Sequence, residues 1–543
     1  MKNCYPFELK ISPPVRGRLI WWLACLALLA AFTSGVGAQQ KSAPARPRKL
    51  PSAGKVVGDY LKATGGKKRQ AAIRDTTYEW EVQSDGQAVG GGREFVKAPV
   101  STRSEMTLPE GTRGGWQGVN AVSARSAWTR REDQGVRTLT DAEADADRLA
   151  AALEASRFVD YKKLNVLART AGYDETPAEP AYVLEFSTKR GARLRYWFGA
   201  TTKLLLKTQN QASGKGALFG DYRAGRDGVL EPHRKTLTSE GQPDVTLVLR
   251  SVSYNTGLSD SLFDPPAAAE VLDIPALLRE VEANQKEIDE RVSNYAFTEK
   301  RTEREINDKG EMKKEKVTVT EIYPLPGGGE INKVVSENGV PLSAERAAKQ
   351  DKEIAETAAK YEREREKKEQ KKREDESKGK KETDDDDVGI TLFLRACEFL
   401  SPRRERLRDR EAVVFDFRPR PGFKPNGTAE SIVSKLAGVV WIDPADKTVM
   451  RLEAKLSESY KVAGGLLASI RPGSAFVFEQ TRMADGVWLP RFMQVNFAAK
   501  IFFFKGVEAN ETREFSDYRR FDTEASDYKL GTPAAKTPGP PDR

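Results

Sequence analysis

The sequence predicts an α+β protein built from two antiparallel-sheet domains in tandem. Three observations carry this expectation: apolar residues alternate with period two along many short segments, a helix precedes each set of strands, and local motifs recur in the same order. In the first half Tyr78, Trp80 and Val82 point one way while Glu79, Glu81 and Gln83 point the other, the pattern of a strand with one buried and one wet face. The alternation returns at Tyr182, Leu184 and Phe186, at Leu194, Tyr196 and Phe198, and at Val245, Leu247 and Leu249. A single sheet of this kind must cover its apolar face with helices or curl around it.

At 543 residues the chain is too long for one core. Arg16 and Arg18 precede an apolar run, Leu19 to Phe32, and the small residues Val36, Gly37 and Ala38 follow it. That layout predicts a secretory signal over residues 1–38, its apolar core shorter than the roughly 20 residues that span a bilayer, and a mature chain that works in the periplasm. Cys4 and Cys25 leave with the signal, so Cys397 stands alone and no intramolecular disulfide forms. Residues 39–52, rich in Pro, Ala and basic side chains, read as a disordered linker, and 531–543 as a disordered tail.

The first domain, 53–268, opens with a helix over Gly54 to Ala63, stopped at Gly65 and Gly66, and carries an Ala-rich helix from Asp141 to Leu153. The second, 269–530, starts after Pro265 and Pro266. It has a helix from Pro275 to Val292, a strand from Tyr295 to Ile306, a turn at Asn307, Asp308 and Gly310, and a returning strand from Lys316 to Tyr323. Later strands fall at Val413 to Phe417, Val439 to Ile442, Val449 to Leu456, Phe476 to Thr481 and Phe492 to Phe497.

The halves also match locally. Arg195 to Lys207 parallels Val439 to Arg451, each a strand, turn and strand with a Trp entering the turn, and Asp227 to Pro232 parallels Asp485 to Pro490, a Gly turn with Pro at a fixed offset. Two matches in the same order predict a duplicated domain. Residues 343–387 break the pattern: Glu alternates with Lys and Arg, with almost no apolar stripe. Pairs such as Glu356 with Lys360, Glu364 with Lys368 and Glu369 with Arg373 support a solvated, coiled-coil-like helix projecting from the second domain, ending in the acidic run Asp384 to Asp387.

Chemistry-bearing constellations are sparse. The one histidine, His233, builds neither a triad nor a His-based metal cluster. Cys397 lies in the apolar, helix-like run Ile390 to Leu400 and packs rather than reacts. Asp384 to Asp387 lack the spaced ligands and Gly turn of a calcium loop. Gly90, Gly91 and Gly92 fit a hairpin turn better than a phosphate loop, because no Lys-Ser/Thr pair follows. The net charge of +9 is spread without a basic block, which argues against nucleic acid and suits transient contact with an anionic membrane surface. The expectation is a non-enzymatic protein without metal or cofactor. One apolar stretch, Val462 to Phe476, has no counterpart in the first half; its Leu466, Leu467 and Ile470 suit a loop that covers a cavity or touches a membrane.

These residues resemble the LolA/LolB-like superfamily of bacterial lipoprotein-localisation carriers. The resemblance rests on the helix leading into Tyr78 to Val82, on Tyr196 to Lys207, on Gly220 to Arg223 before Gly228 to Pro232, and on Val252 to Asn255 leading to Ser261 to Pro265. In the second half it rests on Val440 to Asp443, Gly486 to Pro490 and Phe515 to Arg519. It implies two tandem curved antiparallel β-sheets, or half-barrels, each closed by helices, with a charged helical insertion in the second. It further implies exported proteins that hold acyl chains of lipids or lipoproteins on the concave faces. Trp80, Phe186, Trp441, Leu466, Leu467 and Phe478 are the candidates for lining or covering those faces. A second reading makes the protein an envelope scaffold or stress-sensing binding protein, with a protein partner at residues 343–387 and no lipid cargo.

Overall fold

The computed structural model describes residues 49–520, apart from 85, 109–115, 133, 226, 269, 271, 293–294, 308–310, 326–328, 378–389, 463–467, 471–473 and 502–506. The leader, most of the linker, the acidic run Asp384 to Asp387, Leu466, Leu467 and the tail lie outside the described residues.

The first repeat runs α1 (Ala53–Ala63), α2 (Lys67–Ala72), β1 (Asp75–Ser84), β2 (Gln87–Lys97), β3 (Ser101–Leu108), β4 (Trp116–Val122), β5 (Ala127–Arg131), β6 (Gly135–Thr138) and α3 (Asp141–Ala155). It continues with β7 (Leu167–Asp174), β8 (Ala181–Ser187), β9 (Arg193–Gly199), β10 (Leu205–Asn210), β11 (Gly216–Ala224), β12 (Leu230–Ser239) and β13 (Gln242–Tyr254). The second runs α4 (Ile274–Val292), β14 (Tyr295–Ile306), β15 (Met312–Leu325), β16 (Gly329–Glu337), β17 (Val340–Pro341), α5 (Ala344–Ser377), α6 (Ile390–Ala396), β18 (Cys397–Leu407), β19 (Arg410–Pro419) and α7 (Thr428–Val433). It ends with β20 (Leu436–Asp443), β21 (Thr448–Leu456), β22 (Tyr460–Val462), β23 (Ala468–Ile470), β24 (Ala475–Arg482), β25 (Trp488–Ile501) and β26 (Val507–Arg520).

Each repeat is one curved antiparallel sheet with few helices, and neither sheet closes on itself. The strand order is β6-β5-β4-β3-β2-β1-β13-β12-β11-β10-β9-β8-β7 in the first and β17-β16-β15-β14-β26-β25-β24-β21-β20-β19-β18 in the second. In both, the last strand returns to pair the first, Tyr78 with Val252 and Thr302 with Thr512. The two repeats thus share one circuit: a helix, a first meander, a helical crossing, and a second meander that ends beside the opening strand.

The charged helical insertion of the second repeat does not stand apart from this circuit. α5 and α6 cross between β17 and β18, as α3 crosses between β6 and β7. Nor is α5 wholly solvated. Its inward positions Ala347, Gln350, Ile354, Ala358 and Tyr361 recur every three or four residues, and Ile354 packs with Leu325 and Ile331. The Gln350 amide donates to Val334 O and accepts from Val334 N–H, both at 3.0 Å, which covers an otherwise open stretch of the β16 edge. The stripe is one side chain wide, so charge hid it in the sequence. Lys360 pairs with Glu364 at 3.8 Å, where the sequence had suggested Glu356.

Three further expectations need correction. The run Ile390 to Leu400 is a helix only to Ala396, and Cys397 opens β18, where it pairs Pro419. Gly90, Gly91 and Gly92 lie inside β2, opposite Val82, Glu81 and Trp80. There a Cβ on Gly92 would stand 3.2 Å from Glu105 O, so the glycine keeps the strands beneath Trp80 in close register. Part of the Val462 to Phe476 loop is regular: β22 and β23 form a hairpin whose second strand pairs β25.

The helices cover one face of each sheet. In the first, α1 and α3 pack on β8 and β9 through Val57, Leu61, Leu149 and Leu153; in the second, α4 and α6 pack on β19 and β20 through Ile274, Leu278, Val281 and Leu392. The opposite face of the second sheet, carrying Trp441 and Arg451, meets the first repeat, where Arg451 Nη2 donates to Asp141 at 2.7 Å and Arg148 to Glu453 at 3.3 Å. A second buried junction surrounds Arg403, which is 2% exposed. It donates to Glu405 at 2.6 Å, to Asp416 at 3.0 Å and to Thr138 Oγ1 at 2.5 Å, while Glu405 accepts the Thr138 N–H at 2.7 Å and Asp416 accepts from Ser126 at 2.8 Å. These charges are buried with their hydrogen bonds made, which ties the repeats together.

Among the described residues, one cation at this junction has no such partner. Burial, helped by Arg148 and Arg190, pushes the half-buried Lys455 down to about 7 from 10.5. Because the folded value lies below the unfolded one, the folded state is progressively penalised as pH falls from 10.5 to about 7, and no further below that. Lys455→Met is therefore expected to raise Tm, with the gap to wild type widening over that window and flat beneath it. Thermal melts from pH 10 to pH 5, within the range where the fold persists, check this; a gap independent of pH would contradict it.

Candidate functional site

α1 forms because Ser52 caps it, its Oγ accepting the Lys55 N–H at 3.3 Å, and because Ala53, Val56, Val57 and Leu61 fall on one face. It ends where Gly65 and Gly66 take φ of 113° and 96°. A Cβ on Gly65 would meet Gly228 O at 2.7 Å, so the helix end sits directly on the turn before β12.

Beneath α1 lies the even-numbered face of β8 and β9, where Tyr182 pairs Phe198, Leu184 pairs Tyr196 and Phe186 pairs Leu194. Phe158 inserts between helix and sheet, its ring centroid 5.4 to 5.8 Å from those of Tyr60, Phe186, Tyr196 and Phe198. Arg157 and Phe158 hold left-handed backbone at φ of 49° and 60°. Such conformations cost roughly 1–3 kcal/mol each and persist where the surroundings enforce them. Here they send Phe158 into the aromatic cluster and Arg157 into a polar one.

In that polar cluster Arg157 donates to Glu231 and Gln70, both at 2.5 Å, and to Tyr78 Oη at 3.2 Å, and Tyr254 Oη donates to Glu231 at 2.8 Å. Burial, reinforced by the Glu231 charge, holds the Tyr78 phenol well above its ordinary range, so it stays a neutral donor. Further along the same face, Lys235 donates to Glu94 at 2.7 Å and Trp80 Nε1 donates to Glu94 at 3.1 Å. The covered face of the first sheet is thus apolar at β8 and β9 and walled by satisfied ion pairs toward β1 and β12.

At the Tyr182 and Phe198 end the packing stops short. A cleft of about 620 Å³ opens there between α1 and the β9–β10 turn. Val56, Ala63, Tyr182 and Phe198 make its apolar floor, and Lys55, Lys62 and Lys203 stand at its rim. Lys55 is paired with Asp59 at 2.9 Å. Among the described residues neither Lys62 nor Lys203 has a carboxylate within 4.0 Å; the Lys203 ammonium donates to Ala200 O.

In the second repeat the helix is tied to the matching turn. Trp197 pairs Lys207 with the ammonium 4.7 Å from the ring, and Trp441 pairs Arg451 with the guanidinium 5.9 Å from the ring. In each repeat the turn between these strands holds a left-handed lysine, Lys203 at φ 64° and Lys447 at φ 50°. Aligning Ala53 and Val57 of α1 with Ile274 and Leu278 of α4 sets Asp59 against Glu280 and Ala63 against Asn284. Glu280 pairs Lys447 at 3.0 Å, and Asn284 Nδ2 donates to Asp446 O at 2.7 Å. α4 is latched to its turn, whereas α1 has alanine where the amide would reach and leaves Lys203 facing an open cleft.

Of the residues singled out in the sequence, Phe186 is in the cluster beneath α1 and fully buried, and Trp80 is 5% exposed on the same face against Glu94. Trp441 lies on the face turned away from α4 and α6, in a cluster with Val439, Met450 and Trp488. Phe478 is half-buried on the helix side of the second sheet, its ring stacked 6.4 Å from that of Phe476. Leu466 and Leu467 lie outside the described residues. The cleft residues Ala63, Lys62 and Lys203 were not anticipated, although Lys203 and Lys447 occupy matching places in the repeated motif. His233 is half-buried in β12, and Cys397 is fully buried, its thiol pushed up to about 12 by that burial.

No family profile and no curated protein matches the sequence. Among solved structures, a putative outer membrane lipoprotein-sorting protein domain from Vibrio parahaemolyticus matches at 12% identity, covering 38% of this chain and 97% of its own, with a TM-score of 0.27. The MucA/MucB complex structure from Pseudomonas aeruginosa matches at 10% identity over 86% of this chain and 99% of that one, with a TM-score of 0.12. A LolA superfamily protein from Nitrosomonas europaea is similar at 12% identity over 40% of this chain and 98% of its own, with a TM-score of 0.28.

Proposed function

We propose that this is a non-enzymatic protein of the cell envelope that binds acyl chains of lipids or lipoproteins, and that the chain enters the first repeat through the cleft between α1 and the β9–β10 turn. The observation that carries the reading is an apolar floor of Val56, Ala63, Tyr182 and Phe198 left open in one repeat and latched in the other. The cleft falls within the ordinary size range of small-molecule sites. Binding rests on burial of apolar area at about 25 cal/mol per Å², with no covalent step, and is therefore reversible. A place outside the cytoplasm follows from the leader pattern at Arg16 to Ala38. The absence of catalysis is supported by a single histidine in a strand and a buried, high-pKa thiol.

The test fills or latches the cleft. Ala63→Trp, and separately the pair Asp59→Glu with Ala63→Asn that imports the latch of the second repeat, are expected to lower affinity for a neutral acyl probe, monopalmitoylglycerol, at least tenfold. Circular dichroism and Tm should stay near wild type. Unchanged binding in both folded variants would sink this site.

A further inference from the structure

Resting on the acyl-chain reading, we infer that the ligand of the first repeat is an anionic single-chain amphiphile of the fatty-carboxylate class, its chain on the cleft floor and its head between Lys62 and Lys203.

The repeats supply the comparison. The turn lysine of the second repeat, Lys447, has its countercharge built into the helix as Glu280 at 3.0 Å. The turn lysine of the first, Lys203, is held in the same left-handed backbone without a carboxylate partner, because the helix acid at that position, Asp59, is engaged by Lys55. A left-handed lysine is costlier than glycine or asparagine at the same place, so the turn keeps this side chain at a conformational expense. Lys62 stands across the mouth on α1, also without a carboxylate partner among the described residues, about two turns beyond Lys55 and next to Ala63.

Two cations without countercharge at the mouth of an apolar cleft ask for a ligand with an apolar body and one negative end. The nearby carboxylate of Glu179 does not fill the role: it is turned into the β9–β10 turn, accepting from the Thr202 hydroxyl, from the Thr201 N–H at 2.8 Å and from the Thr202 N–H at 3.3 Å, and against the opposing effect of burial those bonds, the hydroxyl's foremost, hold its carboxyl below the usual range. The rest of the mouth is apolar or paired. A carboxylate head would thus complete in the first repeat the ion pair that Glu280 completes in the second, with the acyl chain replacing the reach of Asn284.

Equilibrium dialysis of the full chain against palmitate and against monopalmitoylglycerol, which share a chain and differ in head charge, tests this. Wild type is expected to bind palmitate about tenfold or more tightly than the glyceride, and 500 mM NaCl should narrow the difference. Lys62→Met with Lys203→Met should lower palmitate affinity to that of the glyceride and leave the glyceride unchanged, which also shows that the variant is folded. Equal affinities in wild type, or an unchanged preference in the double variant, would overturn the head-group assignment while acyl binding stands. Failure of both ligands to bind would remove the acyl reading with it.

Discussion

Arg403→Met is expected to destabilise the protein by about 3–5 kcal/mol, the largest effect of any single change at the junction between the repeats. The side chain is 2% exposed and holds Glu405 and Asp416, themselves 7% and 0% exposed, together with Thr138 of the first repeat. Its loss leaves two carboxylates out of water with neutral donors from Thr138 and Ser126, and with the Arg125 guanidinium 3.8 Å from Asp416 as the one remaining cation among the described residues. Charge, not packing volume, is the cause, since methionine fills much of the same space. Adding Glu405→Gln and Asp416→Asn to Arg403→Met should therefore recover most of the loss. Urea unfolding of the three proteins decides the matter: a loss below about 1 kcal/mol for the single change, or no recovery in the triple, would mean that the cluster does not join the repeats as described.

Phe158→Ala is expected to cost about 3–5 kcal/mol as well, the range for removing a buried phenyl ring. The ring is 6% exposed and touches four other aromatic rings between α1 and the sheet. Alanine keeps the left-handed backbone without the contacts that enforce it, so the strain stays while its compensation goes. Phe158→Leu should lose less than half as much, because the branched side chain still fills part of the space. If denaturant unfolding gave the same stability for alanine and wild type, α1 would not be held by this cluster, and the cleft beside it would have no fixed wall.

Much of the fold was legible in the chain because its signals are local. Alternation at Tyr78, Trp80 and Val82 needs only the two-residue repeat of a strand, and β14 begins and ends at Tyr295 and Ile306, where the pattern placed it. The duplicated motif was legible for the same reason: the turns at Gly228 and Gly486 share one hydrogen-bond pattern, Gly225 N–H to Val229 O and Met483 N–H to Val487 O. The docking of α5 was not legible, since one apolar side chain per turn is lost among charges until β16 supplies the surface it meets. Trp441 shows the limit most clearly. Alternation separates the two faces of a strand but does not say which face meets the helices and which meets the other repeat.

By itself, then, the sequence determined the class of the protein, two tandem antiparallel sheets with helices ahead of and between their meanders, because period, turn residues and caps act within a few positions of one another. Only the tertiary structure decided where a site stands. The cleft exists because Ala63 in one helix and Asn284 in the other sit opposite turns about 140 and 160 residues away, and because Asp59 pairs within its helix whereas Glu280 pairs across. Those are differences in contact partner between long-range neighbours, which no local pattern of residues encodes.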